Sequence, residues 1–257
     1  MALTTHDDGA VRIITLNRPE VRNALNPMLR DALYDAFEAA AEASHIAAVV
    51  LTGTGKAFCA GLDLAELKSL SQRSSEENRR DSAALAKLLE RIYRFPKPVV
   101  AALNGHAIAG GAGLASVCDV VVMSDSAKFG YTESRIGFVA ALVGVFLLRQ
   151  VGERKARDLL LSARLLEAQE AQTMGLVNQI CPSEQVLPEA LRWARLLASN
   201  APSSLTFTKD LLTSLPGMGL QESLRYAIDL NALSRSSQDL QEGIQAFLEK
   251  RDPKWQR

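Results

Sequence analysis

Cysteine is scarce in this chain of 257 residues, and neither sign of charge is in excess. The three cysteines, Cys59, Cys118 and Cys181, form no CxxC pair and are odd in number, so we expect neither a disulfide framework nor a zinc site. Because 29 lysines and arginines balance 29 aspartates and glutamates, no net field attracts nucleic acid or an anionic membrane. The expected partner is a small molecule, and a reducing compartment fits best.

Targeting signals and membrane-spanning runs are also lacking. The first ten residues, MALTTHDDGA, have neither the basic and apolar regions of a signal peptide nor the arginine-rich character of a transit peptide. The longest uncharged run, from Pro98 to Cys118, reaches spanning length but contains Asn104, His106 and four glycines, which a bilayer segment disfavours. The apolar stretch 138–148 is too short to cross. We expect a cytoplasmic protein with no membrane contact.

The chain does contain an alternation of strand patterns and amphipathic helix patterns. With 47% hydrophobic and 23% charged residues, it can bury a large core. Asn26-Pro27 provides a cap and a first-turn proline for a helix that follows. This alternation indicates an α/β fold. Strands are predicted over 10–16, 46–52, 99–104, 117–123 and 177–180, and further helices over 75–93, 153–162 and 167–174.

The last part of the chain has a different pattern. After about residue 183 no strand is predicted, and prolines and glycines separate helices around 189–199, 203–214, 220–235 and 239–250. We divide the chain into a core domain of residues 1–195 and a helical C-terminal region of residues 196–257. Because such a region exposes apolar stripes that often complete a subunit interface, we expect a homo-oligomer.

Two stretches of the core resemble each other, VVLTGTGKAFCAGLDL (Val49–Leu64) and VVAALNGHAIAGGAGL (Val99–Leu114). Each contains a strand, a glycine turn, an apolar pair, Ala-Gly and a helix start, which suggests a repeated strand–turn–helix unit. Where such a turn enters a helix, backbone N–H groups are left unpaired, and two of them can hold one oxyanion. The alternative is that the glycines only let the turn and the helix pack closely.

Five motifs stand in order along the chain: LNRPEVRNALN (Leu16–Asn26), GKAFCAGLDL (Gly55–Leu64), NGHAIAGGAGL (Asn104–Leu114), CDVVVMSDSAKFG (Cys118–Gly130) and GLVNQI (Gly175–Ile180). In sequence and spacing they resemble the crotonase superfamily, the enoyl-CoA hydratases and isomerases, over essentially the whole chain. The resemblance implies a crotonase-like core of repeated ββα units with a C-terminal helical trimerisation region. It also implies acyl-CoA thioester substrates and a homotrimer or a dimer of trimers.

The resemblance assigns roles to both glycine turns. The thioester oxygen would accept hydrogen bonds from the N–H groups of Leu62 and Gly110, which would form an oxyanion hole. Coenzyme A would lie along the first turn, with Lys56 near a phosphate, and Lys250 of the final helix could reach a phosphate across a subunit boundary. For both lysines the alternative is a solvated surface charge. The predicted substrate-binding residues are Lys56, Ala57, Ala60, Leu62, Asp63, Leu64, Gly110, Gly111 and Lys250.

Glu133, in FGYTESRIGF, falls at the position of a catalytic glutamate of the superfamily and is the predicted acid/base residue. The alternative is an exposed glutamate at a helix start, paired with Arg135. A partly apolar wall would raise the pKa of Glu133 toward a useful range. The residues predicted to form that wall are Phe129, Ile136, Phe138 and Val139.

One position departs from the pattern of the superfamily. Hydratases with two catalytic glutamates carry the second in the glycine-rich helix, where this chain has Gly113. The remaining TE-x-RIGF motif resembles, more loosely, the single-glutamate hydratases of the methylglutaconyl-CoA type. The predicted function is hydration of a 2-enoyl-CoA thioester, including a branched or glutaconyl-type ester. A Δ3,Δ2-enoyl-CoA isomerase, which needs one carboxylate, is the alternative, and a non-catalytic member that binds acyl-CoA or RNA is a third.

No cofactor is expected, because coenzyme A is part of the substrate. The chain has no G-x-S-x-G nucleophile elbow, and GGAGL lacks the G-x-G-x-x-G spacing of dinucleotide-binding folds. His106 is expected to make structural hydrogen bonds rather than to touch the substrate. The carboxylates of Asp63 and Asp119 are expected to cap neighbouring N–H groups.

Overall fold

A computed structural model describes residues 1–255, which form two β-sheets with helices packed around them. The larger sheet has six strands in the order β1-β2-β3-β5-β7-β10, and every neighbouring pair except β1 and β2 is parallel. These strands are β1 (Leu3–Asp8), β2 (Val11–Leu16), β3 (Ala48–Gly53), β5 (Val99–Leu103), β7 (Val120–Ser124) and β10 (Gln179–Cys181).

The smaller sheet has four short strands in the order β4-β6-β8-β9. Its first three strands are parallel, and β8 and β9 are antiparallel. The strands are β4 (Ala57–Cys59), β6 (His106–Ile108), β8 (Lys128–Gly130) and β9 (Leu166–Glu167).

The helices start where the sequence supplies caps. The side chain of Asn26 accepts a hydrogen bond from the Leu29 N–H, and Ser74 and Glu77 form a capping box. The helices are α1 (Pro27–Glu42), α2 (Leu64–Leu70), α3 (Ser75–Tyr93), α4 (Gly110–Ser116), α5 (Ala141–Ser162), α6 (Ala168–Met174), α7 (Val186–Ala198), α8 (Pro202–Ser214), α9 (Leu220–Arg235) and α10 (Gln238–Glu249).

The core lies on both faces of the larger sheet. Alternate residues of the central strands point in opposite directions, so Val50 and Val100 pack against α7, while Val49, Leu51 and Ala101 face the cluster that includes α1 and α3. Every residue of β5 is buried. Strands buried on both faces read as continuous apolar runs, which explains why the sequence predicted them.

The repeated unit spans both sheets. In each of the pairs β3–β4, β5–β6 and β7–β8, the first strand joins the larger sheet and the second joins the smaller sheet. The ββα repeats implied by the superfamily and the α/β fold class are therefore confirmed. The five predicted strands all lie in the larger sheet, whereas β1 and all four strands of the smaller sheet were missed.

The helical predictions agree with the structure except around α5. The predicted helix 153–162 is only the second half of α5, which starts at Ala141 and contains a non-helical Gly152 with φ 75°. The predicted helix 189–199 corresponds to α7, which packs on the larger sheet. None of the helices in residues 1–255 combines the length and the apolar character needed to cross a membrane.

The C-terminal helices α8, α9 and α10 leave large apolar side chains exposed. No residue of α8 or α9 is buried, and only Ala246 of α10 is. Trp255 lies against the end of α7, because its indole N–H donates to the Ser199 carbonyl over 2.7 Å. The last two residues of the predicted tail, Gln256 and Arg257, lie outside the described residues.

Candidate active site

The two glycine turns meet at one edge of the smaller sheet. β4 and β6 are parallel neighbours, and each is followed by Ala-Gly. Because the carboxyl ends of parallel neighbours lie at the same edge, the two turns are brought together. A Cβ atom built on Gly61 would lie 3.4 Å from the Gly110 nitrogen, and one built on Gly110 would lie 3.8 Å from the Gly61 Cα atom.

Within residues 1–255, the N–H groups of Leu62 and Gly110 have no hydrogen-bond acceptor. One neighbour of each does have an acceptor: the Asp63 N–H donates to the Leu25 carbonyl and the Ala109 N–H to the Gly130 carbonyl, both over 2.8 Å. Backbone donors in a folded interior are nearly always paired. The two opposed turns therefore each carry an unpaired backbone donor.

The first turn is held in place by the segment Arg18–Leu25, a role that sequence reasoning missed. The buried Asn23 side chain donates to the carbonyls of Thr54 and Ala57 and accepts from the Arg18 N–H. The Leu25 N–H donates to the Gly61 carbonyl over 2.7 Å. The LNRPEVRNALN motif thus supports the turn that carries the Leu62 N–H.

Asp63 has the structural role that was expected of its carboxylate. It caps α2 by accepting from the Ala65 N–H over 2.9 Å, and it forms an ion pair with Arg18 over 2.8 Å. The Ala65 N–H and then the Arg18 guanidinium hold the pKa of Asp63 below its usual range. The capped carboxylate fixes the start of α2 directly after Leu62.

The remaining predicted substrate-binding residues differ in exposure. Lys56 lies exposed between β3 and β4, and Leu64 is exposed at the start of α2. Ala57 is buried in β4. The Ala60 N–H group donates a hydrogen bond to the Arg22 carbonyl over 3.0 Å.

Gly111 and Lys250 have contrasting positions. Gly111 is buried, and a Cβ atom there would come within 2.1 Å of the Cys59 carbonyl oxygen. Lys250 is exposed and ends α10 in a left-handed conformation, and its described hydrogen bonds stay within that helix end. Among the described residues, no hydrogen bond or ion pair joins Lys250 to either turn.

Glu133 starts a single 3-10 turn after β8 and is only 8% exposed. Its Oε2 atom is buried and has no hydrogen-bond partner among the described residues. Burial raises the pKa of Glu133 above the ordinary value of 4.5. No ion pair with Arg135 is formed in the described part of the chain. The side chain is therefore a desolvated carboxyl group with one free oxygen.

The backbone places Glu133 beside the second turn. β8 pairs with β6 so that Gly130 lies opposite Ile108, and the Gly130 carbonyl accepts from Ala109, the residue before Gly110. The predicted apolar wall of Glu133 is partly wrong. Phe129 is buried, but three of the predicted wall residues are exposed because they lie on the outer side of the turn and on the loop that follows it: Ile136, Phe138 and Val139.

The position of the missing second glutamate is filled by another side chain. A Cβ atom built on Gly113 would lie 2.1 Å from the Cγ1 atom of Val143, which is buried in α5. Sequence reasoning identified Gly113 but not Val143, because the contact joins two helices. Gly113 therefore packs against an apolar side chain at the position where two-glutamate hydratases have a carboxylate.

His106 and Asp119 make structural hydrogen bonds, and Cys59 is buried. The Nδ1 atom of His106 accepts from the Lys128 N–H over 3.0 Å, which joins β6 to β8 and confirms the structural interpretation. Asp119 accepts from the Val99 N–H and from the Lys209 ammonium group. Cys59 is a free, buried thiol beneath the first turn, and burial raises its pKa to about 12.

A core of ββα units that opposes two glycine turns near a buried glutamate defines the crotonase class of proteins. The profile of the family described as "Enoyl-CoA hydratase/isomerase" matches residues 6–257, and the chain belongs to that family. A Thermus thermophilus protein, named provisionally as an enoyl-CoA hydratase, is 52% identical over 97% of this chain and 98% of its own length.

Two further relatives extend the comparison. The 2,3-dehydroadipyl-CoA hydratase of Escherichia coli is 38% identical over 95% of this chain and 94% of its own length. The crystal structure of an enoyl-CoA hydratase from Polaromonas sp. JS666 superposes with a TM-score of 0.94 at 34% identity, covering 99% of this chain and all of that one. The similarity therefore includes the C-terminal helices as well as the core.

Proposed function

We propose that this enzyme adds water to a 2-enoyl-CoA thioester and forms a 3-hydroxyacyl-CoA. The observation that carries the proposal is the buried, unpartnered Oε2 atom of Glu133 near two unpaired backbone donors. The family and the names of its relatives support the same reaction. In this proposal, Leu62 and Gly110 provide the oxyanion hole, and Glu133 is the acid/base residue.

The oxyanion hole acts on the thioester oxygen. When water attacks C3 of the enoyl group, negative charge moves to that oxygen as an enolate forms. Two fixed N–H donors stabilise this charge more than they stabilise the neutral thioester, which lowers the barrier. The loss of one such donor typically costs about 3 to 4 kcal/mol of transition-state stabilisation.

Glu133 carries out both proton transfers in this scheme. Its ionised carboxylate holds the water and takes one proton as the water oxygen bonds to C3. The resulting carboxylic acid then gives a proton to C2 of the enolate, and Glu133 is again ionised. A single carboxylate is sufficient because it acts first as base and then as acid.

The acyl group and the binding of coenzyme A can be proposed in more detail. The TE-x-RIGF motif supports a branched or glutaconyl-type ester. The exposed Lys56 and the backbone of the first turn are available for the coenzyme A moiety. No cofactor takes part in the scheme, because the thioester and Glu133 supply all the chemistry.

The C-terminal region is proposed to form a homotrimer or a dimer of trimers. Exposed apolar side chains on its helices would be buried in such an interface, including Leu224, Ile228, Leu240, Ile244 and Phe247. In that assembly, Lys250 of one subunit would reach a coenzyme A phosphate of its neighbour. Light scattering on purified protein should give three or six times the chain mass, and a monomer would refute this interface.

The first experiment follows the ultraviolet absorbance of the protein mixed separately with a 2-enoyl-CoA and a 3-enoyl-CoA. The conjugated thioester adds an absorbance that the adenine and an unconjugated thioester lack, so hydration lowers the absorbance of the 2-enoyl substrate, and mass spectrometry identifies the 3-hydroxy product. Appearance of that signal from the 3-enoyl substrate, without hydration, would instead establish the isomerase. Glu133→Gln should abolish turnover and leave acyl-CoA binding nearly intact.

The same variant separates catalysis from stability. The folded-state pKa of Glu133 is raised, so the ionised form costs stability once the pH exceeds the ordinary value of 4.5, and the full cost applies above the raised pKa. Glu133→Gln should therefore have a higher Tm than wild type at pH 7, and the difference should vanish below pH 4.5. An inactive variant with a lower Tm at pH 7 would indicate damage to the fold.

A further inference from the structure

A buried hydrogen bond joins the segment that carries Glu133 to the helix that starts at Gly110. Tyr131, two residues before Glu133, is 1% exposed, and its hydroxyl group lies 2.5 Å from the Oγ atom of Ser116. Ser116 is the last residue of α4, and it is also buried. This contact lies outside the residues assigned above to binding or proton transfer.

The direction of this hydrogen bond follows from the available protons. The Ser116 hydroxyl group donates its one proton to the Ala112 carbonyl over 2.8 Å. Its oxygen must then accept from the Tyr131 O–H group, which stays protonated because burial raises the pKa of that phenol. A chain of two hydrogen bonds therefore runs from Tyr131 through Ser116 to Ala112, two residues beyond Gly110.

The hydroxyl contact completes a pair of links between α4 and the Glu133 segment. At the start of α4, the Ala109 N–H donates to the Gly130 carbonyl over 2.8 Å, and at its end Ser116 binds Tyr131. These two links lie at opposite ends of α4 and act together with the packing of its buried residues. The Gln150 side chain adds a bond from α5 to the Ser116 carbonyl.

We infer that Tyr131 is a positioning residue, whose hydroxyl group fixes the Glu133 carboxylate relative to the Gly110 N–H donor. The inference rests on the proposed function, because it concerns the distance between the acid/base group and the oxyanion hole. The Tyr131 ring also packs edge to face on Phe129, with centroids 5.8 Å apart. A phenylalanine would keep this apolar contact, so the hydroxyl group is the part of the side chain that the inference concerns.

Tyr131→Phe tests the inference, because it removes only the hydroxyl group. Misplacement of reacting groups by a fraction of an ångström lowers the rate without weakening binding, so we expect kcat to fall roughly tenfold, with KM within about twofold of wild type. Ser116→Ala should have the same effect. The double variant should be no slower than Tyr131→Phe alone, because both changes break one chain of bonds.

Tyr226→Phe is a matched control. The Tyr226 hydroxyl group donates to Asp210 over 2.5 Å, between α9 and α8, so this variant also loses a short tyrosine hydrogen bond but should keep its kcat. Tm is measured for all variants. Losses of kcat that multiply in the double variant, or a rise in KM equal to the fall in kcat, would overturn the inference.

The outcomes also separate the inference from the proposed function. A wild-type hydratase that Glu133→Gln inactivates, but whose kcat is unchanged in Tyr131→Phe and Ser116→Ala, contradicts only the inference. Full turnover by Glu133→Gln contradicts the proposed function, and the inference fails with it. If Tyr131→Phe does not fold, the kcat and KM of Ser116→Ala decide the matter alone.

Discussion

The two strand–turn–helix units that carry Leu62 and Gly110 have similar sequences and opposite surroundings. In the first unit, α2 has no buried residue. In the second, every residue of α4 after Gly110 is buried. In an ungapped alignment of the sequences Val49–Leu64 and Val99–Leu114, Asp63 lies opposite Gly113 and Gly61 lies opposite Gly111. The start of the helix therefore has a side-chain cap in the first unit, whereas in the second it has no such cap and is closely packed.

The two turns also differ in exposure and in backbone strain. The α2 turn depends on the Asp63 cap and on its ion pair with Arg18, and the exposed Leu64 and Ala65 that follow give it a surface open to a large polar ligand. The α4 turn has no side-chain cap, and Ala109 before it adopts a φ of 52°, which is unusual for a residue with a side chain. That strain is sustained only because the surrounding packing holds the backbone.

Gly111→Ala should break the second turn and have the largest effect. Its Cβ atom would lie 2.1 Å from the Cys59 carbonyl oxygen, and backbone of β4 cannot move away without separating the two turns. We expect a loss of about 3 kcal/mol in the free energy of unfolding and a loss of turnover, both measured on the purified variant by urea denaturation and by hydration assay.

Gly144→Ala is the control for that change. Its Cβ atom would lie 3.4 Å from the movable end of the Leu160 side chain, and the helical alanine should be neutral or stabilising by up to about 1 kcal/mol. If Gly111→Ala unfolds at the same urea concentration as Gly144→Ala, close packing does not fix the second turn.

Gly113→Glu should have the next largest effect. The new side chain would clash with the Cγ1 atom of Val143, 2.1 Å from the Cβ position, at a cost of about 1 to 3 kcal/mol. Val143→Ala removes the clashing atom, so the two changes should be coupled by more than about 0.5 kcal/mol in a double-mutant cycle of urea denaturation. Additive costs would show that Val143 does not exclude a second carboxylate.

The hydration rate of the double variant answers a separate question. A rate above that of Val143→Ala alone would show that the missing carboxylate limits this enzyme. No gain would favour the proposed single-glutamate scheme.

Some parts of the fold and of the candidate site could be predicted from the sequence, and others could not. Five of the six strands of the larger sheet were predicted, because buried strands such as β5 are continuous apolar runs, and α3 was predicted to the residue. The sixth, β1, was missed because its sequence LTTHDD is polar. The smaller sheet was not predicted, because strands such as AFC and HAI are three residues long and show no periodicity. The identity of the site residues came from resemblance to a superfamily, and the donor geometry became visible only when β4 and β6 paired.

Contacts between segments that are distant along the chain could not be predicted from the sequence. Val143 lies against Gly113, and Tyr131 binds Ser116, yet neither pair has a local pattern that marks it. The raised pKa of Glu133 was expected, but three of the four predicted wall residues are exposed, so its desolvation has another source. Burial of one carboxyl group is a property of the packed chain rather than of its neighbours in sequence.

Asp63→Ala should have the smallest effect and should be confined to the first unit. It removes the cap on the Ala65 N–H and the ion pair with Arg18, which together fix the start of α2. Loss of an N-cap costs about 1 kcal/mol, so amide hydrogen exchange in α2 should accelerate about fivefold at neutral pH, while exchange in α4 stays unchanged.

Asp63→Asn is the matched control, because an asparagine keeps a cap acceptor but loses the charge. The lowered pKa of Asp63 means that its charge stabilises α2 above the ordinary value of 3.8 and that this contribution disappears as the pH falls through the lowered pKa. Asp63→Asn should therefore exchange at a rate between those of wild type and Asp63→Ala at neutral pH, and its difference from wild type should shrink in acid. If exchange in α4 accelerated as much as in α2, the two turns would form one cooperative unit, and the effect of Asp63 would not be confined to the first turn.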